Sequence, residues 1–286
     1  MLGIKDENEI MKVAKSISEI VPNFCGVTLG GSRANRLNDE LSDVEMYFYS
    51  ESGIPSVEDI DTCLNKLEAQ HKRCESFLWN EYPWGPHSFF VMDGLYFEIG
   101  YRIVSDIEKK IDAYLEGNVV PTTDCHDLGL GYVYSGLAAS VCSEMVLISK
   151  GFELERLKTK ASMFPTCLQD ALKVEFLDTA QSMLEGKMYS AAERNDIFLY
   201  EVLASRVIRS LMVMAFSISH THFPGDKWNA VLLSKTKWEN KYKFLDILKE
   251  HFDLNDVGDG NLLKKREKLI TAYNLIKTDL VLNVVD

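Results

Sequence analysis

The stretch LGGSRANRLNDELSDVEMYFYS, residues 29–50, decides the predicted fold. A pair of glycines and a serine open it, and an apolar run that carries two acids, Asp43 and Glu45, closes it. Residues two apart in a β-strand share a face, so a strand over residues 44–49 places both acids on one face and apolar side chains on the other. We therefore expect a sheet with one packed face and one acidic face.

The pattern around this stretch predicts a mixed α+β domain. A β-type run at 24–30 precedes it, and two more strands are predicted at 87–94 and 95–104, joined by the hairpin signal Asp93-Gly94. Glu98 shares a face of the last strand with Arg102. Helical periodicity or caps predict helices at 7–20, 56–72 and 105–117.

Strand patterns end near residue 120, and the rest of the chain reads as a helical bundle. Helices are predicted at 130–148, 165–184, 191–219, 241–251 and 263–282. The fold class is thus an N-terminal mixed sheet with helices followed by an all-α bundle, with domains at 1–120 and 121–286.

Composition restricts the classes of function. The formal net charge of −12 disfavours binding of long nucleic acid, which usually requires a basic surface. The six cysteines show no C-x-x-C spacing and are expected to be reduced, and the start of the chain is too charged for a signal peptide. The longest apolar run is too short to span a bilayer, so we expect a cytoplasmic protein without a membrane partner.

Three acids can meet on the acidic face if the strands that carry them are neighbours. Asp43, Glu45 and Glu98 would then repel one another, and a divalent cation such as Mg²⁺ is the usual compensation. The alternative is that these carboxylates are solvated on an exposed sheet face.

The glycine-serine turn is the second candidate feature. Gly30 and Gly31 permit close approach of a ligand to the backbone, and Ser32 adds a hydroxyl donor at a predicted helix start, where free N–H groups attract anions. Arg33 and Arg36 follow and could reach a triphosphate.

These features together resemble the nucleotidyltransferase superfamily related to DNA polymerase β. The matching residues are Gly31-Ser32, then Asp43 and Glu45 in D-x-E form eleven residues after the serine, then Glu98 on a later strand. The D-x-E form and the helical second domain resemble the enzymes that modify kanamycin and lincosamide antibiotics. The motifs cover residues 24–102, and beyond them the resemblance is architectural.

The resemblance implies transfer of a nucleoside monophosphate, AMP from ATP or another NTP, to a hydroxyl of a small acceptor, with release of pyrophosphate. It implies Mg²⁺, two ions in the usual case, at Asp43, Glu45 and Glu98, and phosphate binding by Gly31, Ser32, Arg33 and Arg36. The general base is either Glu98 or Glu175, because residues 173–184 resemble the base-bearing helix of the kanamycin-modifying enzyme. A homodimer is expected by the same analogy.

Two other functions stay open. The acceptor could be a protein or RNA hydroxyl, or the chain could bind a nucleotide without catalysis. An aromatic loop with Trp79, Tyr82 and Trp84 is either a lid over the site or a surface loop pinned to the core.

Overall fold

The computed structural model describes residues 4–73, 85–121, 134–252 and 261–282. Contacts divide the chain into two compact units. The first comprises Met1–Ala113 with Thr122–Met163, and the second comprises Tyr114–Pro121 with Phe164–Asp286. The predicted aromatic loop with Trp79, Tyr82 and Trp84 lies outside the described residues.

A mixed six-stranded sheet forms the centre of the first unit. Its spatial order is β3-β4-β5-β2-β1-β6, in which β2 and β5 are parallel and all other neighbours are antiparallel. The strands are β1 Phe24–Leu29, β2 Val44–Ser50, β3 Gln70–Arg73, β4 His87–Met92, β5 Leu95–Ile103 and β6 Met145–Ser149. The central pair β2 and β5 are the two strands that carry the predicted acids.

The apolar face of the sheet packs on two helices. Alternate residues of β2 and β5, such as Met46 and Ile99, are fully buried with Val13 and Ile17 of α1 and Leu64 of α3. The helices of this unit are α1 Ile4–Ser18, α2 Gly31–Ala34, α3 Val57–Lys66, α4 Val104–Leu115, α5 Ser135–Ser143 and α6 Glu153–Ala161. Strand alternation therefore predicted the packed face correctly.

Local sequence explains two of the connections. Ser56 caps α3, its Oγ accepting from the Asp59 N–H at 3.1 Å. Asp93 and Gly94 both have positive φ, 50° and 82°, as a two-residue hairpin turn between β4 and β5 requires. The predicted hairpin is confirmed.

The opposite face carries polar residues and is covered at one end. There α6 packs closely against β1, since a Cβ added to Gly26 would lie 3.0 Å from Leu154 Cδ2. Glu144 lies between α5 and β6, and its side chain is buried in this covered part of the face, with 3% exposed. At the other end of the same face, the side chains of Asp43, Glu45 and Glu98 remain partly exposed.

The second unit is helical. Its longest helices, α10 and α13, pack on each other and bury side chains such as Leu211, Met214 and Ile276. Its helices are α7 Thr166–Leu172, α8 Thr179–Glu185, α9 Lys187–Glu193, α10 Ile197–Ile218, α11 Asn229–Ser234, α12 Lys241–Phe252 and α13 Asn261–Leu282, with a π-helical segment Lys173–Asp178 between α7 and α8. No described helix is long and apolar enough to cross a membrane.

Three sequence predictions of helices were wrong. The helix predicted at 56–72 ends at Lys66, and residues 70–73 form β3, which pairs with β4. Residues 130–148 were predicted as one helix, but α5 ends at Ser143 and residues 145–149 form β6, which pairs with β1. The helix predicted at 191–219 is likewise broken, with α9 ending at Glu193 and α10 beginning at Ile197. Because β6 joins the sheet, residues 134–163 group with the first unit.

Candidate active site

Parallel pairing of β2 and β5 brings the predicted acids together. Glu45 lies directly opposite Glu98 in the register of the two strands, and Asp43 immediately precedes β2 on the same face. Each of the three offers a carboxylate oxygen, and these oxygens lie within 4.8 Å of one another. The three side chains are partly buried. Three oxygen donors at this spacing fit a hard divalent cation such as Mg²⁺ or Mn²⁺.

The glycine turn lies against the same carboxylates. Gly31 has φ +57°, and a Cβ at this position would overlap the Glu45 carboxylate and lie 2.7 Å from its Oε1. Glycine adopts this positive φ without strain, and any larger residue would displace the Glu45 carboxylate from its present position. The Gly30 N–H donates to the Glu45 carbonyl at 2.8 Å, which ties the turn to β2 at the acid itself. The predicted neighbourhood of turn and acids is thus present.

Arg33 contacts the loop that precedes β2. Its guanidinium is buried, and Nε and Nη2 donate to the carbonyls of Asp43 at 2.8 Å and Ser42 at 3.0 Å. Asp6 lies 3.8 Å from Nη1. The loop before β2 needs donors for these carbonyls, so Arg33 fixes the backbone that presents Asp43. Its contact with a phosphate stays a prediction.

The other predicted phosphate ligands are positioned as follows. Ser32 is half-buried in α2, and its carbonyl accepts from the Leu37 N–H at 2.8 Å. Arg36 is exposed and has φ +57°. Their contacts with a triphosphate stay predictions.

Glu175, predicted as an alternative base, belongs to the second unit. It lies in the π-helical segment Lys173–Asp178 and is partly buried. Single π-turns within α-helices are frequent at functional sites, which agrees with the prediction without testing it.

His87 was not identified from sequence and lies beside Glu98. Its Nδ1 is 2.8 Å from the Gly85 carbonyl, which can only accept, so Nδ1 carries the proton. Nε2 lies 3.6 Å from Glu98 Oε1. Burial, with the nearby charge of Arg102, lowers the pKa of His87 to about 3, so at neutral pH the imidazole is uncharged and this contact is not an ion pair.

Tyr47 links the acids to the covered end of the face. Its hydroxyl donates to Glu45 Oε2 at 3.2 Å, and the guanidinium carbon of Arg102 lies 3.6 Å from its ring centroid. Burial, followed by the charge of Glu45, raises the pKa of Tyr47 well above its usual value, so the hydroxyl stays a donor. Strand alternation placed Tyr47 and Arg102 on the acidic face, but did not show that they touch.

A buried ion pair completes the covered end. Arg102 Nη1 donates to Glu144 Oε1 at 2.6 Å and to the Tyr49 hydroxyl at 2.7 Å. Glu144 also accepts from Thr28, Ser140 and Tyr49 at 2.7 to 2.8 Å. Burial raises the pKa of Glu144, but the charge of Arg102 and these hydrogen bonds outweigh it, so the pKa lies below the ordinary value. Sequence gave no signal for Glu144, which was assigned to a helix.

The comparisons with known proteins assign no function to these residues. A sequence profile described as a domain of unknown function (DUF4037) matches residues 135–229, a segment that contains Glu144 and Glu175 but none of the three clustered acids. No curated protein matches the chain.

One solved structure is similar in outline. It is a nucleotidyltransferase-like protein from Exiguobacterium sibiricum 255-15, with a TM-score of 0.44 and 10% identity over 97% of this chain and 76% of that chain. A likeness at this level does not establish a shared fold. The interpretation of the site therefore rests on its own geometry.

Proposed function

We propose that this protein is a divalent-metal-dependent nucleotidyltransferase that transfers AMP from ATP, or the monophosphate of another NTP, to a hydroxyl of a small acceptor. The observation that carries the proposal is the convergence of Asp43, Glu45 and Glu98 beside a glycine turn whose Gly31 lies against the Glu45 carboxylate.

The reaction is an in-line displacement at phosphorus. The acceptor oxygen forms a bond to the α-phosphorus, the bond from that phosphorus to the bridging oxygen breaks, and pyrophosphate leaves with the electron pair. The hydroxyl proton passes to a carboxylate, Glu98 or Glu175. Mg²⁺, when bound, supplies charge neutralisation for the triphosphate and the developing negative charge.

The protein's own residues then have defined tasks. Asp43, Glu45 and Glu98 hold the metal, and Gly31 with Ser32 binds phosphate oxygens through backbone N–H groups and a hydroxyl. Arg36 is exposed and is assigned to the outer phosphates. The Arg33 side chain holds Asp43 in place by donating hydrogen bonds to the backbone carbonyls of Asp43 and Ser42. Most of the rate enhancement in such a reaction comes from positioning and charge.

An aminoglycoside or lincosamide is the proposed acceptor class, since the net charge of −12 attracts cationic small molecules. The test is release of pyrophosphate by the purified full chain with Mg²⁺, each of the four NTPs in turn, and a panel of such acceptors. Release should depend on metal and acceptor and should fall by about 100-fold or more in Asp43→Asn, a loss of roughly 3 kcal/mol of transition-state stabilisation. No release with any combination would overturn the proposal.

Two further measurements separate the other functions. Labelled ATP incubated with protein and cell lysate should leave macromolecules unlabelled, because label on protein or RNA would replace the small acceptor with a macromolecular one. Calorimetry of ATP binding should depend on Mg²⁺ and on Asp43. An affinity that ignores both would indicate a nucleotide-binding protein without catalysis.

A further inference from the structure

The ring of Tyr47 is confined on its two edges by glycines. Tyr47 follows Glu45 by two residues on β2, so both side chains rise from the same face. A Cβ at Gly100, the residue opposite it on β5, would lie 2.7 Å from Tyr47 Cδ1, and a Cβ at Gly30 would overlap its Cε2. Two missing side chains thus create the space that the ring occupies, and little freedom remains for it to tilt.

Arg102 supports one face of that ring. Its guanidinium carbon lies 3.6 Å from the ring centroid, well within the range of a cation–π contact. The guanidinium is itself fixed by Glu144 and the Tyr49 hydroxyl, and Arg102 is 2% exposed. Tyr47 therefore packs on a surface whose position is determined by a buried, hydrogen-bonded ion pair.

Glu144 is anchored in turn by its own segment. Lys158 of α6 donates to the carbonyls of Val141, Cys142 and Glu144 at 2.8, 3.1 and 2.6 Å, which holds the end of α5 in place. A continuous series of contacts therefore runs from Glu144 through Arg102 and Tyr47 to the Glu45 carboxylate.

We propose that Tyr47 is a positioning residue for the metal site: its hydroxyl orients the Glu45 carboxylate, and the Arg102–Glu144 pair holds Tyr47 in place. This inference rests on the proposed metal-dependent function. The hydrogen bond restricts the rotamers of Glu45, so less conformational entropy is lost when a cation binds. The hydrogen bond at 3.2 Å fixes one oxygen beforehand, as partners of metal ligands commonly do.

The test measures Mn²⁺ binding to the full chain without nucleotide, from the loss of the free Mn²⁺ electron paramagnetic resonance signal. Tyr47→Phe keeps the ring on Arg102 and removes only the hydroxyl, and it should weaken Mn²⁺ affinity about tenfold. Tyr101→Phe is the matched control. It deletes a buried hydroxyl that lies 3.0 Å from Ser88 Oγ, on the opposite face of the sheet, and should leave Mn²⁺ affinity unchanged.

A double-mutant cycle distinguishes positioning from a general structural role. If Tyr47 acts through Glu45, Tyr47→Phe should have no additional effect on Mn²⁺ affinity in a Glu45→Gln background. A merely structural change would weaken binding equally in both backgrounds. Urea unfolding midpoints of each variant, measured without metal, show that the comparison concerns folded protein.

The outcomes separate this inference from the proposed function. Wild-type protein that fails to bind Mn²⁺ at millimolar concentration would overturn the metal site and the proposed function with it. Wild-type protein that binds Mn²⁺ with the same affinity as Tyr47→Phe would overturn the positioning role and leave the proposed function standing.

Discussion

One face of one sheet carries two charged clusters with opposite properties. The first holds three like charges, Asp43, Glu45 and Glu98, partly exposed and close together. The second holds one charge of each sign, Arg102 and Glu144, almost fully buried and hydrogen-bonded. Tyr47 stands between them and touches a member of each.

The difference shows what each cluster is built for. Burial of charge is tolerated at Arg102 and Glu144 because each neutralises the other and hydrogen bonds replace much of the lost water, although Arg102 Nε is a buried donor without a hydrogen-bond partner among the described residues. The acids bring charge of one sign together near solvent, where they repel one another unless a cation lies between them. The same glutamate substitution should therefore have opposite effects in the two clusters, and this expectation can be tested directly.

The largest effect is expected from Glu144→Gln. The substitution leaves the Arg102 charge buried without its counter-ion, which should lower the free energy of unfolding by about 3 to 5 kcal/mol. Urea denaturation of the full chain, followed by circular dichroism, measures the loss. Glu98→Gln is the matched control on the same face, and its free energy of unfolding should not fall. Equal stabilities for Glu144→Gln and wild type would show that the pair contributes nothing.

Lowering the pH should remove the difference in the free energy of unfolding between wild type and Glu144→Gln. The pKa of Glu144 in the folded protein is below its ordinary value of 4.5, so its contribution is complete above about pH 4.5 and is lost as pH falls through the lower, folded value. The gap between wild type and Glu144→Gln should therefore shrink below about pH 4.5. A gap that stays constant down to pH 3 would contradict this assignment.

A smaller effect is expected from Gly31→Ala, with Gly151→Ala as control. Both glycines have positive φ, 57° and 72°, so each substitution should cost about 1 to 2 kcal/mol of backbone strain. Only at Gly31 would the new Cβ meet the Glu45 carboxylate, whereas it meets nothing within 4 Å at Gly151. Mn²⁺ affinity should fall about tenfold or more in Gly31→Ala.

The control variant Gly151→Ala shows whether a loss of Mn²⁺ affinity in Gly31→Ala comes from backbone strain or from the contact with the Glu45 carboxylate. Gly151→Ala should keep the wild-type Mn²⁺ affinity at a similar cost in stability. If both variants lost affinity equally, the effect would come from strain alone, and the contact between turn and carboxylate would have no role.

Sequence periodicity predicted the part of the site that depends on short-range order. Alternation placed Asp43 and Glu45 on one face of β2 and Glu98 on the non-packed face of β5, and Asp93-Gly94 indicated the hairpin that brings β4 beside β5. These features follow from neighbours along the chain, so a single sequence suffices for them.

Features that depend on long-range contacts were missed or misread. β6 pairs with β1 across more than a hundred residues, and its short apolar sequence continues the helical pattern of α5. The hydrogen bond from the Arg33 guanidinium to the Asp43 carbonyl, ten residues along the chain, was not predicted. Glu144 directly precedes β6, and the pairing of β6 with β1 places it beside Arg102. Neither secondary-structure propensity nor motif spacing predicts such contacts.

The smallest effect is expected within the acidic cluster itself. Without metal, Glu98→Gln should raise the free energy of unfolding by roughly 0.5 kcal/mol, because it relieves repulsion among carboxylates that are only partly exposed. Added Mn²⁺ should reverse the order, since wild type gains about 1.4 kcal/mol at ten times the dissociation constant while the variant, which binds less tightly, gains less. Urea titrations with and without Mn²⁺ measure both signs. Stabilities that keep the same order in both conditions would mean that the three acids do not act together on a cation.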